Sequence, residues 1–293
     1  MRVNFIKKHL TKEMKGIEVA PWHNPIVAKK DGYNVRILDI FSTEQLRKRC
    51  LADPQVPDHH LENIEEVDFV ASALDIDSAV GSAGDLGTYD YILSSHNFEH
   101  LPNPIKFLQA CGRVLRAGGH LSMAVPSKNY TFDFFRRLTT TADFLESYFE
   151  KRSRPSPYQL YDFSSCFANN VPSGPNQPLT EIGFDQDFEV CYQEMVNRIQ
   201  NQGEEYIDAH VSVFTADSFN LIISEIIALG LVSFKLKEII DTGGFEFYVH
   251  LEKIKECDLV HHRLTAQQRL KLYKKVYGSV KINRPNYGYQ YNV

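Results

Sequence analysis

Apolar residues in this chain recur with two periods, and the places where the period changes mark its elements. Gly16-Ile-Glu-Val-Ala20 is a short apolar run stopped by Pro21, and proline has no N–H with which to continue a ladder. Asn34-Val-Arg-Ile-Leu-Asp-Ile40 alternates and ends in an acid, and Val67-Asp-Phe-Val-Ala71 and Tyr89-Asp-Tyr-Ile-Leu-Ser-Ser95 have the same character. Together they predict four strands, and His120-Leu-Ser-Met-Ala-Val125, closed by Pro126, predicts a fifth. Before the fifth strand, positions 107, 108, 111, 114 and 115 are apolar at helical spacing. Pro102 and Pro104 open that helix over 105–115, and Gly118-Gly119 is expected to cap it. Ser42 and Gln45 have capping-box spacing and start a helix over 42–50, whereas 81–88 reads as an irregular Gly-rich stretch.

Residues 127–212 break this rhythm with aromatic clusters, a Pro/Gly/Asn/Ser loop over 169–178 and helices expected near 139–152 and 187–202. Apolar positions there are too sparse for a second core, so the segment reads as an insertion over the strand ends. Regularity returns at Thr215, an N-cap with Asp217 in the first turn. A helix to Leu229 capped by Gly230, a strand over 232–240, a turn over 241–244 and a strand over 245–251 follow. The last two strands are expected to form an antiparallel hairpin. A helix over 265–277 and a Tyr/Asn-rich tail end the chain. Short apolar strands with long crossovers predict an α/β fold, a mostly parallel sheet with helices on both faces. The expected organisation is an arm (1–15), a core (16–130 and 213–255), an acceptor-side insertion (131–212) and a C-terminal helix and tail (256–293).

Composition narrows the class. With 43 % apolar and 24 % charged residues in 293, the chain is an ordinary globular one, and its net charge of −5 argues against nucleic acid as a partner. Lys7, Lys8, Lys12 and Lys15 make the arm locally basic, read as a solvated helix face. Five cysteines without a CxxC pair argue against a disulfide framework and for a reducing, cytoplasmic setting. The opening lacks the apolar core of a secretory leader. The apolar stretch 219–234, interrupted by Ser224 and Glu225, is too short for a membrane span; peripheral membrane attachment and a homo-oligomer stay open. His59-His60 and His261-His262 lack companion ligands, so no metal is expected.

Seven strands ending in a hairpin, with particular residues upon them, resemble the class I S-adenosylmethionine-dependent methyltransferases. Tyr89-Asp-Tyr-Ile-Leu-Ser-Ser-His-Asn-Phe-Glu-His-Leu-Pro-Asn-Pro104 resembles that family's fourth strand and the loop after it. Arg113-Val-Leu-Arg-Ala-Gly-Gly-His-Leu121 and Val125-Pro126 resemble its helix-to-fifth-strand signature. Gly16-Ile-Glu-Val-Ala-Pro-Trp-His-Asn-Pro25 is similar to the Gly-Leu-Glu-Ile-Gly-Pro-x-His-Asn-Pro opening of a bacterial subgroup. Tyr130-Thr-Phe-Asp133, Val213-Phe-Thr215 and Asp241-Thr-Gly-Gly-Phe-Glu-Phe247 are further stretches shared with it. The resemblance implies a Rossmann-like seven-stranded sheet, S-adenosylmethionine as cofactor and methyl transfer. Because such relatives accompany glycan-building enzymes, it also implies O-methylation of a small-molecule, glycan or sugar-phosphate acceptor. Ala20 departs from the subgroup, which has glycine there, and adds a methyl group at a tight place. From it comes the competing reading, a non-catalytic interaction protein on this fold that has lost productive cofactor binding. A nicotinamide-dependent oxidoreductase would also need GxGxxG after the first strand, and that motif is absent.

The cofactor of such a protein arrives activated, so the site must hold it, align an acceptor and take a proton from a hydroxyl. Ligands of open α/β sheets bind outside the carboxyl ends of the strands. Asp39, about twenty residues after the first-strand turn, suits a carboxylate accepting from two ribose hydroxyls. By the resemblance, Glu18 orients the turn and approaches the methionine ammonium, with a salt-bridge role as its alternative. Ala20 and Pro21 form the turn, and His23 and Asn24 are candidates to bond the methionine carboxylate. Trp22 reads equally as a lid. The resemblance gives Asp68 and Phe69 the adenine contacts, with core packing an equal reading for Phe69. Ser95 and His96 end the fourth strand beside the expected methyl position, and His96 is the first candidate for general base or acceptor orienter, because imidazole titrates near neutrality. His100 and Asp133 complete the catalytic candidates. Glu99-His100 recurs in the family regardless of acceptor, which favours a cofactor or scaffold role. Asp133 with Arg136 and Arg137 suits a polar or phosphorylated acceptor, or a capped helix start, and His210 is a further candidate to reach the pocket.

Overall fold

In the computed structural model, residues 2–54, 56–178, 181–201, 207–255 and 263–278 are described. The His261-His262 pair, Cys257 and the Tyr-rich tail lie outside them. The strands are β1 (Gly16–Val19), β2 (Val35–Asp39), β3 (Phe69–Val70), β4 (Tyr89–Ser95), β5 (Leu115–Pro126), β6 (Ala168–Asn169), β7 (Gly183–Phe184), β8 (Phe234–Asp241) and β9 (Glu246–Lys253). Seven of them form one sheet in the order β3-β2-β1-β4-β5-β9-β8, and β6 and β7 pair apart from it. The first five are parallel, whereas β9 runs antiparallel to both β5 and β8. The chain order reverses between β1 and β4, and such a switch point opens a crevice at the strand ends.

The helices are α1 (Arg2–Ile6), α2 (Thr43–Ala52), α3 (Ile76–Ser82), α4 (Pro104–Val114), α5 (Thr141–Phe149), α6 (Pro157–Ser165), α7 (Phe188–Asn201), α8 (Ala216–Ala228) and α9 (Ala266–Tyr277). Alternation along the strands sorts the core into two layers. Ile17, Val19, Ile92, Met123 and Val125 join Phe107, Phe144 and Phe219 in the larger cluster, under α3, α4, α5 and α8. Tyr91, Leu93 and Ala124 point to the other face, where Ile6 of α1 and Val27 cover them, and Leu46 and Cys50 of α2 extend the covering. Gly16 is set by this packing, because a Cβ there would lie 1.9 Å from the Tyr91 ring.

Local chemistry accounts for the ends. Ser42 and Gln45 form the expected capping box on α2, and Asn103 caps α4 by accepting from the Lys106 N–H at 3.0 Å, with Pro104 in the first turn. Several expectations need correction. β3 pairs over two residues rather than the five of 67–71. Helix α4 ends at Val114, and Gly118 is not its cap. The pairing of β4 with β5 skips from Leu115 to His120, so 116–119 bulge out and Gly118 takes φ 77° within that bulge. Helix α6 stands where none was expected, whereas α3 is a helical crossover of the kind that parallel strands require. The basic arm is no helix face: beyond Ile6, Lys8 pairs with Glu238 at 2.6 Å, Lys15 with Asp85 at 3.0 Å, and Lys7 bonds the Tyr33 hydroxyl. Cys50, Cys111, Cys166 and Cys191 are free thiols. No helix among the described residues is long and apolar enough to cross a membrane.

Candidate active site

The carboxyl ends of β1, β2, β3 and β4 open onto one cleft of about 900 Å³. Ala20 and Asp39, from the ends of β1 and β2, line it together with Ala73 and Leu74 after β3 and Asn97 and His100 after β4. Tyr158 of α6 and Arg198 of α7 also line it. Thus Ala20, Asp39 and His100 line the cleft, whereas Glu18, Pro21, His23, Asn24, Asp68, Phe69, Ser95, His96 and Asp133 do not.

Ala20 has φ 50°, Trp22 φ 44° and His96 φ 48°. Left-handed backbone at non-glycine residues costs about 1–3 kcal/mol each and clusters at ligand sites; here it marks the ends of β1 and β4. The turn after β1 therefore has the backbone that glycine would take, even though alanine occupies it. Glu18 holds this turn from below. Its buried carboxylate accepts from the N–H groups of Ile26 at 2.8 Å and Val27 at 3.1 Å, and burial pushes its pKa up to about 7. Trp22 packs against the Leu46 and Cys50 cluster, His23 bonds His60 ring to ring at 2.8 Å, and Asn24 is exposed.

Asp39 is buried at the end of β2, and its Oδ1 accepts from the Phe41 N–H at 2.9 Å. Burial raises its pKa more than the nearby backbone donors lower it. Asp68 sits outside the cleft, pinned by Lys29 at 2.6 Å and Arg36 at 2.7 Å while accepting from the Ile37 N–H. Phe69 packs half-buried against the main core.

His96 turns away from the cleft. Its Nε2 meets Glu246 at 2.8 Å, and Glu246 also takes the Arg2 guanidinium at 2.9 Å and the Tyr248 hydroxyl at 2.6 Å. Ser95 accepts from Arg2 as well. Burial works against charging His96, but the Glu246 and Glu99 carboxylates outweigh it and lift the pKa to about 9. His96 is then an imidazolium ion at neutral pH, a donor rather than the free base expected of it.

Glu99 lies fully buried with three imidazoles around it: His96 Nδ1 and His100 Nε2 at 3.6 Å and His210 Nε2 at 3.7 Å. His210 is fixed from behind by Asp133 at 2.6 Å, and His100 by Asp208 at 2.9 Å. Asp133 is 2 % exposed, held between His210 and Arg136, so it orients His210 rather than meeting a ligand. His210 is far along the chain from Glu99 and His100, so no local pattern shows the cluster.

A second cavity of about 290 Å³ adjoins the cleft at Leu101, Pro102 and Tyr158. Its arginines are engaged: Arg136 with Asp133 and Asp162, Arg137 in a two-pronged pair with Asp143, and Arg152 with Glu150. The sequence pattern of an acid with adjacent arginines thus folds into internal ion pairs.

The family model described as "Methyltransferase domain" matches residues 4–225. No curated protein matches the chain. Among solved structures, a SAM-dependent methyltransferase from Aquifex aeolicus is 12 % identical with a TM-score of 0.39, covering 84 % of this chain and 85 % of that one. A SAM-dependent methyltransferase from Methanosarcina mazei is 13 % identical with a TM-score of 0.42, covering 85 % and 96 %. The cleft fits S-adenosylmethionine: Asp39 offers an under-compensated carboxylate to a ribose diol, Leu38 and Leu74 give apolar walls, and the left-handed turn at Ala20 exposes backbone. The chain therefore belongs to the methyltransferase-domain family, and S-adenosylmethionine is its cofactor.

Proposed function

We propose that the protein methylates a hydroxyl of a polar, uncharged acceptor, a small molecule or a glycan-linked sugar. The observation that carries this reading is the side cavity next to the cleft, polar yet with its guanidinium groups already paired to carboxylates. Such a surface offers many hydrogen bonds and little net charge, which suits sugar hydroxyls better than phosphate. The bound cofactor supplies an electrophilic methyl group on a sulfonium. Asp39 holds the ribose end, the Ala20 turn receives the methionine end, and the Asn97 and His100 wall receives the acceptor. Transfer of that methyl group to an acceptor oxygen would release the hydroxyl proton, and the imidazole–carboxylate cluster of Glu99, His100 and His210 would take it.

Methyl-labelled cofactor, incubated with panels of neutral sugars, nucleotide sugars, sugar phosphates and amines, tests the proposal. Label appearing as a methyl ether on neutral sugar units is the expected result. Label confined to nitrogen, or to phosphorylated acceptors, would overturn it.

A further inference from the structure

Glu99 carries a buried carboxylate that is ringed by imidazoles standing just beyond hydrogen-bond distance among the described residues. The residue is 0 % exposed, and among the described residues neither oxygen has a hydrogen-bond partner within normal distance; the nearest donors are ring nitrogens at 3.6–3.7 Å. Burying a carboxylate without donors costs several kcal/mol, so its surroundings need an explanation. His100 Nε2 at 3.6 Å and His210 Nε2 at 3.7 Å both face the same oxygen, too far for a hydrogen bond. Those gaps are what an intervening ion requires. With metal–nitrogen and metal–oxygen bonds of about 2.0–2.2 Å at tetrahedral angles, ligand atoms stand roughly 3.4 Å apart. The ligand atoms of Glu99, His100 and His210 all lie within 4.8 Å of one another.

The second ring nitrogens strengthen the case. His210 Nδ1 is held by Asp133 at 2.6 Å and His100 Nδ1 by Asp208 at 2.9 Å. A carboxylate behind each imidazole fixes the ring and leaves Nε2 for coordination, as outer-shell partners of metal-bound histidines do.

We propose that Glu99, His100 and His210 form a binding site for a divalent transition-metal ion at the acceptor wall of the cleft. Two imidazoles and one carboxylate select ions of the zinc, manganese and iron(II) kind over magnesium and calcium. His100 lines the cleft, so an open coordination position there faces the acceptor. Given the O-methylation reading above, a bound ion would replace the cluster as the group that activates the acceptor: with the Nε2 lone pairs on the metal, it would lower the pKa of the hydroxyl so that the proton leaves to water. The other His/carboxylate group, His9, Glu238 and His250, is less suited. Both His250 nitrogens are already used, by the Ser122 hydroxyl at 2.9 Å and the Phe5 carbonyl at 3.1 Å.

The test uses the full chain, stripped with chelator and titrated calorimetrically with MnCl2 and ZnCl2, with MgCl2 as the hard-ion control and no acceptor present. One equivalent of manganese or zinc per chain is expected. His210→Ala should weaken it at least 100-fold, and Asp133→Asn, acting through His210, by 10–100-fold. S-adenosylhomocysteine binding to each variant verifies that the fold and cofactor site survive. Wild-type protein that binds S-adenosylhomocysteine but neither metal would overturn the metal site and leave the methyltransferase reading intact. Metal affinity unchanged in His210→Ala, or lost instead in His9→Ala, would overturn it too.

Discussion

His96 and Glu246, 150 positions apart in the chain, meet at 2.8 Å across the ends of β4 and β9. The contact ties the last hairpin to the strand that borders the cleft, and Arg2 of α1 reinforces it from the other side of Glu246. Glu246→Gln leaves both cations without a counter-charge. A loss of about 1–2 kcal/mol of stability is expected, less than for a fully buried pair because His96 and Arg2 are each about a third exposed. His96→Ala should lower turnover more than cofactor affinity. Denaturant melts and calorimetry with S-adenosylhomocysteine check the two effects, and full activity of His96→Ala would show that the left-handed turn it occupies has no part in catalysis.

Among the described residues, Asp39 is the acid that both ends a strand and lines the cleft. Each hydrogen bond to a charged acceptor contributes roughly 1.5–3 kcal/mol, so Asp39→Ala should weaken S-adenosylhomocysteine binding by at least about 10–100-fold without unfolding the protein. Unchanged affinity would remove the ribose assignment.

Ala20 takes a backbone conformation that favours glycine, with φ 50°. Ala20→Gly should tighten cofactor binding by allowing closer approach. Its stability should change by about 1 kcal/mol or less, because the relieved strain offsets the added freedom of the unfolded chain. Weaker binding in Ala20→Gly would mean that the methyl group shapes the turn favourably.

Glu18 makes folding take up a proton. Its pKa stands at about 7 in the folded protein against an ordinary value of 4.5. Its contribution to stability is therefore fully present below the unfolded value and is lost as pH rises through the folded one, at up to about 1.4 kcal/mol per pH unit. Relative to Glu18→Gln, the wild type should lose stability between pH 5 and pH 8, measured by urea melts at each pH. A constant difference between the two would contradict the shift.

Most of the sheet was legible because burial on both faces leaves near-continuous apolar runs, as in Tyr89-Asp-Tyr-Ile-Leu-Ser-Ser95, and because the final hairpin has a Gly-Gly turn. Helix α6 was not, since none of its residues is buried and no apolar stripe forms; its signal was the Ser156 and Gln159 capping box with Pro157. At the site, Ala20 and Asp39 were readable from their place at strand ends. Arg136 and Arg137 were misleading, because their partners Asp162 and Asp143 come from the insertion helices, which no local pattern reveals. The convergence of His100 and His210 on Glu99 depends on the chain returning from the insertion, where the Val211 and Ser212 N–H groups bond the Glu99 carbonyl at 2.8 and 3.0 Å.

Calorimetric titration of the full chain with S-adenosylmethionine and S-adenosylhomocysteine, with NAD as control, tests the central claim most directly. One site per chain for both sulfur compounds and none for NAD is the predicted result. A folded sample that binds neither sulfur compound would contradict the account and turn Ala20 into the mark of a methyltransferase fold that no longer holds its cofactor.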